Sequence, residues 1–214
     1  MHSLLRFSAL LLLLALTTQC QSTDDTAVKG ADNPAATTGE AAAQEAGAAP
    51  EPVQANAVGP GTPIAELEFR QENGAERVYH NGQPFNGLGY SEYANGQRFT
   101  EQTYESGIQN GAWGVYYENG QRQKQGTKAN ATDHDVYYEW YEMGALKYEY
   151  HYDGGLKVDV WKSWYENGQQ WTERHWQNDA LHGKVLVWDT SGKLTKEYVY
   201  QNGKQVSAKQ YLDE

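Results

Sequence analysis

The residues of this 214-residue chain with the strongest claim to chemistry are its histidines and a recurrent set of carboxylates. His151 and His175 stand one 24-residue interval apart. In a repeating structure that spacing sets two imidazoles in one column, where a divalent metal could bridge them. A metal centre needs further ligands, and the same column carries Thr103, Thr127 and Val199. The column therefore reads as polar decoration, and no metal is expected. Asp133-His134-Asp135 is the other dense group of ligand types, and it reads as a solvated loop. Glu118, Glu142 and Glu166 also recur at one interval. Acid–base catalysis wants two carboxyl groups in different environments. A periodic acid meets the same environment each time and reads as turn chemistry. No Ser-His-Asp order, nucleophile elbow, phosphate loop or dinucleotide-binding glycine pattern is present. The chain is expected to be non-enzymatic and to use no cofactor.

The single cysteine, Cys20, excludes an internal disulfide framework and cysteine-rich zinc sites. It closes a segment in which Arg6 precedes an apolar run from Phe7 to Leu16. That run is shorter than the ~20 residues a helix needs to span a bilayer. A basic start, a short apolar stretch and a polar stop describe a secretory signal over residues 1–19. Leu16-Thr17-Thr18-Gln19-Cys20 resembles a bacterial lipobox. The resemblance implies that Cys20 becomes a lipidated N-terminus, anchoring the protein to a membrane of the bacterial cell envelope. Plain secretion is the alternative.

Residues 20–62 contain no aromatic side chain and few large aliphatics. Such a stretch buries too little apolar surface to offset its ordering entropy. It reads as a disordered acidic tether, with Asp24, Asp25, Asp32, Glu40, Glu45 and Glu51 against Lys29. A flexible chain of that length reaches about 35 Å. The whole chain has a formal net charge of −11, a field that repels phosphate backbones and argues against a nucleic-acid partner. Its mean hydropathy of −0.82 excludes a polytopic membrane protein.

All 16 tyrosines and all 7 tryptophans lie between Tyr79 and Tyr211, because this part of the chain is a tandem repeat. A glycine in a turn-like context recurs at Gly74, Gly96, Gly120, Gly144, Gly168 and Gly192, mostly 24 residues apart. A second series lies between them, at Gly82, Gly107, Gly155, Asp179 and Gly203. Asn-Gly is a strong signal for a two-residue type I′ hairpin turn. The stretches between turns are rich in Tyr, Trp, Val and Thr, which suit a pleated surface. Each unit therefore reads as strand, tight turn, strand, longer turn. The stack forms an all-β, elongated antiparallel meander of about a dozen strands over residues 63–214, with almost no helix. The segment Lys128 to Val136 lacks the aromatic and glycine of its neighbours, and a loop or distortion is expected there.

Stacking the units makes aromatic columns. Three residues before the recurring glycine stand Tyr93, Tyr117, Tyr141 and Tyr165, with Asp189 breaking the row. Four before it stand Tyr116, Trp140, Trp164 and Trp188. Neighbouring strand residues face opposite ways, so these columns are expected on opposite faces, as candidate binding surfaces. A third column holds Tyr104, Tyr152, Trp176 and Tyr200, with Lys128 interrupting. The patterns Gly111-Ala-Trp113-Gly-Val-Tyr-Tyr117-Glu-Asn-Gly120-Gln, Trp161-Lys-Ser-Trp-Tyr-Glu-Asn-Gly168-Gln and Gly87-Leu-Gly-Tyr-Ser-Glu-Tyr-Ala-Asn-Gly96-Gln resemble the variant MORN repeat. The resemblance covers about Leu67 to Tyr211. It implies a sheet of stacked hairpins that serves as a binding or scaffolding surface, in bacterial lipoproteins and in proteins labelled YwqK-family antitoxins.

Two functions follow from these expectations. An envelope-anchored aromatic sheet would bind a protein partner, since aromatic surfaces with few charges suit such contacts and open sheet edges accept an added strand. Alternatively, Tyr and Trp rows flanked by Gln97, Gln121, Gln169 and Gln170 would stack the rings of a cell-wall glycan. An antitoxin or immunity role is a further alternative. Terminal strands must cap the stack, and Lys204 and Lys209 are suited to a protected edge.

Overall fold

A computed structural model describes residues 60–212. The signal segment, Cys20 and the tether up to residue 59 lie outside the described residues. Strands β1 (Thr62–Pro63), β2 (Glu68–Glu72), β3 (Ala75–His80), β4 (Gln83–Pro84) and β5 (Gly87–Glu92) open the fold. They are followed by β6 (Arg98–Glu105), β7 (Ile108–Tyr116), β8 (Arg122–Ala129), β9 (Thr132–Trp140) and β10 (Leu146–Asp153). The chain ends with β11 (Leu156–Trp164), β12 (Gln170–Gln177), β13 (Ala180–Trp188), β14 (Leu194–Gln201) and β15 (Lys204–Gln210). One 3-10 turn, Ile64–Glu66, is the only helical piece among the described residues.

The expected all-β meander is present. From β5 to β15 each strand pairs antiparallel with the next, in a 12-stranded sheet. At about 4.8 Å per strand those strands span about 50 Å. The first unit departs from the expectation of one continuous stack. β2, β3 and β4 form a separate three-stranded sheet, and β1 joins the large sheet by parallel pairing with β5. The small sheet is tied to the β6–β7 turn through Val78 N–H to the Gly107 carbonyl and Gly107 N–H to the Phe85 carbonyl, each 2.8 Å. Between the two sheets lies a cluster of buried apolar side chains, Leu67, Val78, Phe85 and Tyr104, with Ile64 at its side.

Two kinds of turn alternate, and the type I′ geometry expected of Asn-Gly holds for only one of them. At the recurring glycines of the large sheet only the glycine is left-handed, as at Gly96 (φ 81°) and Gly168 (φ 82°). Gly96 N–H donates to the Tyr93 carbonyl at 3.0 Å, and Tyr93 N–H donates to the Gln97 carbonyl at 2.8 Å. This is a type I turn closed by a glycine bulge, not type I′. The type I′ turns belong to the second series, where both central residues are left-handed: Ser106 and Gly107 (φ 51° and 77°), Asn202 and Gly203 (φ 48° and 78°). Gly74, with Asn73 also left-handed, is of this second kind. Asn130 and Ala131 adopt the same geometry (φ 50° and 64°) without a glycine. The expected loop at Lys128 to Val136 is therefore absent, since β8 and β9 meet in a tight turn, and the distortion in the segment is a bulge at Asp135. Ala131 N–H donates to the Gln109 carbonyl at 2.7 Å, and this bond, with the strand pairing, holds an alanine where glycine is favoured.

A third left-handed position recurs inside the strands, at Gly111, Asp135, Asp159 and Gly183. Each lies opposite a shift of register, between Gln102 and Tyr104, Gln125 and Thr127, Glu149 and His151, and Arg174 and Trp176 respectively. Bulges of this kind bend the strand and increase its twist. Asp135 is thus part of a bulged strand and not of a loop.

Candidate functional site

The tyrosine column does not line a face. Tyr117, Tyr141 and Tyr165 follow directly after β7, β9 and β11 and open the turns, as Tyr93 does after β5. Their hydroxyls donate to the backbone carbonyls of Tyr116, Trp140, Trp164 and Trp188, the fourth-before-glycine residues of the next unit, at 2.8–3.0 Å. The asparagines of the same turns act in parallel. Asn95, Asn119 and Asn167 accept from Gln97, Gln121 and Gln169 N–H and donate Nδ2 to the carbonyls of Glu118, Glu142 and Thr190. The glutamine side chains complete the seam. A Cβ on Gly192 would lie 2.7 Å from Gln169 Oε1, and one on Gly120 would lie 3.1 Å from Gln97 Oε1. The Tyr-Glu-Asn-Gly-Gln motif is therefore a splice between units, with Glu118, Glu142 and Glu166 exposed beside it. Asp189 replaces the tyrosine with a local cap, accepting from Ser191 and Lys193 N–H. The Ser191 hydroxyl, donating to the same oxygen at 2.6 Å, and next the Lys193 N–H hold its carboxyl below the usual range.

The second column begins buried. Tyr116 is 0% exposed and Trp140 is 1% exposed, whereas Trp164 and Trp188 are half-buried. Their face carries a mixed polar column, Glu101, Gln125, Glu149, Glu173 and Glu197, as strand alternation and pairing dictate. His151 bonds Glu149 at 3.1 Å and His175 bonds Glu173 at 3.0 Å, so each imidazole has a carboxylate two residues before it on its own strand. Cross-strand Lys162 stands opposite both glutamates. The hydrogen bond from His151 holds the Glu149 carboxyl below its ordinary range. Among the described residues no group of three or more His, Cys, Asp or Glu is placed to hold a metal ion.

The opposite face holds a continuous row of rings. Trp113 contacts Tyr137 at 5.6 Å between centroids, Tyr137 stacks on Tyr150 at 5.6 Å, Tyr150 meets Trp161 at 4.2 Å, and Trp161 meets Trp176 at 5.3 Å. Tyr148 and Tyr152 flank it, each with a ring contact at 5.2 Å. The row crosses from β7 to β12. Gly126 makes it possible, since a Cβ there would meet the Trp113 indole at 2.9 Å. Lys157 lies over Trp161 and Trp176 at 5.1 and 4.7 Å, within cation–π range. Burial pushes the Tyr137 phenol well above its ordinary value. Of these residues the sequence singled out Tyr152 and Trp176 as members of the third column, and Trp113 and Trp161 only as parts of the repeat motif. Trp113, Tyr137 and Trp161 do recur at the 24-residue interval, with Val185 next, and a search of every column would have found them.

One ionic cluster is buried. The Tyr116 hydroxyl donates to Glu101 Oε1, Arg122 Nη2 lies 2.5 Å from the Tyr116 hydroxyl, and the same Nη2 lies 3.3 Å from Glu101 Oε1. Glu101 is 5% exposed and Arg122 is 6% exposed. Burial first, and the bond to Glu101 second, push the Tyr116 phenol well above its ordinary value.

No model of a known family matches the chain, and no curated protein matches it. No helix among the described residues is long and apolar enough to cross a membrane.

Proposed function

We propose that this chain is a non-enzymatic scaffold of the variant MORN-repeat kind, held in the cell envelope through a lipid on Cys20, whose sheet binds a protein partner. The observation that carries the reading is the ring row from Trp113 to Trp176. Trp161 is itself 5% exposed, but Trp113, Tyr137, Tyr150 and Trp176 around it are half-buried and already ordered against one another, so a partner would cover them at low entropic cost. Aromatic anchors of this type dominate protein interfaces. The small sheet meets the large one at β7 and the β6–β7 turn, which leaves the row's far end for a partner.

The glycan reading loses part of its platform, because buried Tyr116 and Trp140 offer no ring face for stacking. An antitoxin-like role remains a protein-binding role and would use the same surface.

In-cell photo-crosslinking tests the proposal, with the crosslinking residue placed at Tyr148 on the ring face and at Trp164 on the other. A single dominant protein adduct from Tyr148 is expected. Adducts at neither position, or label only on wall glycan, would overturn it. The anchor has its own test. Cys20→Ser should move the protein from the membrane pellet to the soluble fraction, and retention in the pellet would refute lipidation at Cys20.

A further inference from the structure

The ring face carries a charge pattern that the rest of the chain does not. From β10 to β14 the strand pairing sets Tyr148, Ser163, Thr172, Val187 and Lys196 in one row across the sheet. The next row holds Trp161, Arg174, Val185 and Tyr198. Paired residues share a face, so Arg174 and Lys196 stand on the side of the rings. Lys147 and Lys157 stand there too, over Tyr148 at 5.2 Å and over Trp161 at 5.1 Å.

The acids of these strands go elsewhere. Glu149, Asp153, Glu173 and Glu197 take the opposite face, and only Asp159 is left, at a bulge. Lys147 is answered by Glu139 at 3.3 Å. Among the described residues no carboxylate pairs with Lys157, Arg174 or Lys196. Arg174 and Lys196 are exposed and Lys157 is half-buried. A chain of net charge −11 thus keeps unpaired cations on the one face where its rings are lined up.

The chemistry of a complementary partner follows. Half-buried rings are covered by apolar side chains. Unpaired cations beside them call for anions, and the planar fork of Arg174 suits a carboxylate. Single-stranded nucleic acid also matches rings with cations, but it needs a cationic groove along its backbone. Here Glu142, Glu166 and Asp189 stand in the turns at one end of the strands, and Asp153 and Asp179 at the other. A phosphate backbone would have to pass these acids, whereas a carboxylate side chain need only reach the middle of the face.

We infer that the ring face from β10 to β14 docks an acidic segment of a protein partner. Its carboxylates meet Lys157, Arg174 and Lys196, and its apolar side chains cover the half-buried rings. The inference rests on the reading of the ring row as a partner surface and adds the charge of the partner.

Fluorescence anisotropy on the full chain tests it, with a labelled peptide of alternating Glu and Leu as the probe. A Gln-Leu peptide and an oligothymidylate are the controls. The Glu-Leu peptide should bind saturably, and more weakly as salt rises. Arg174→Glu combined with Lys196→Glu, both at exposed positions, should weaken that binding about tenfold, with the fold checked by circular dichroism. Lys184→Glu, on the opposite face, should leave it unchanged. No saturable binding, equal binding of the Gln-Leu peptide, tighter binding of the oligothymidylate, or indifference to the double charge reversal would each overturn the inference. Crosslinking from Tyr148 separates it from the reading beneath it. The charge-reversed chain should lose the protein adduct that the parent forms. An adduct that persists undiminished would refute the acidic partner and leave the scaffold reading standing, and no adduct in the parent would overturn both.

Discussion

Replacing Ala131 with glycine should stabilise the sheet, although it removes a methyl group. Ala131 sits at φ 64° in the β8–β9 turn, where an L-residue costs roughly 1–2 kcal/mol over glycine. Glycine returns about 0.5–1 kcal/mol of that through its larger unfolded-state entropy. The expected net gain is about 0.5–1 kcal/mol, or about 1–4 °C in Tm for a domain of this size. Ala131 is exposed, so little packing is lost. Gly168→Ala supplies the mirror experiment. Gly168 has φ 82°, and a Cβ there would meet nothing within 4 Å, so its cost is backbone strain alone, about 1 kcal/mol. Both positions are in interior hairpins, where fraying of the ends intrudes least. Urea melts of Ala131→Gly, Gly168→Ala and the parent chain compare the midpoints directly. A neutral or destabilising Ala131→Gly would refute the strain argument, as would a Gly168→Ala chain as stable as the parent.

Arg122→Met should destabilise the fold by about 3–5 kcal/mol, because it strands the Glu101 carboxylate in a buried site. Combining it with Glu101→Gln should recover much of the loss, and additive losses in a double-mutant cycle would contradict the coupling. Tyr141→Phe should cost about 1 kcal/mol through the lost bond to the Trp164 carbonyl. Hydrogen exchange should quicken at the β9–β10 and β11–β12 turns, and unchanged exchange there would show that the seam does not join the units. Glu149, held below its ordinary pKa by His151, contributes stability that is complete above its unfolded pKa and is lost as pH falls through the lower folded value. Glu149→Gln should therefore flatten the acid limb of the stability–pH curve, and an unaltered limb would count against the pair.

The 24-residue period, the hairpin character of each unit and the all-β class were legible in the sequence. They rest on local rules: glycines that tolerate φ > 0, and aromatic stretches that suit strands. The Tyr-Glu-Asn-Gly-Gln motif was equally visible, but its role was not. Whether Tyr141 lines a face or bonds the next unit depends on where Trp164 lies, and that is a contact between residues 23 apart. Turn type was misassigned for a related reason, since a type I turn with a glycine bulge and a type I′ turn can both be written Asn-Gly. The choice follows the register that the flanking strands impose.

Only the tertiary structure decided which surfaces exist. The columns at Tyr116 and Trp140 look in sequence like those at Trp164 and Trp188, yet the first pair is buried and the second is half-buried. The bulges at Gly111, Asp135, Asp159 and Gly183 set which side chains meet, and they bring Trp113, Tyr137, Tyr150, Trp161 and Trp176 into one row. Gly114 breaks its column in the sequence, but the reason appears only when its cross-strand partner Glu101 and the nearby Arg122 are seen to fill the place of a Cβ. Strand propensity and turn chemistry act over a few residues and can be read along the chain. Burial and electrostatic pairing depend on what stands across the sheet, and only the assembled strands specify that.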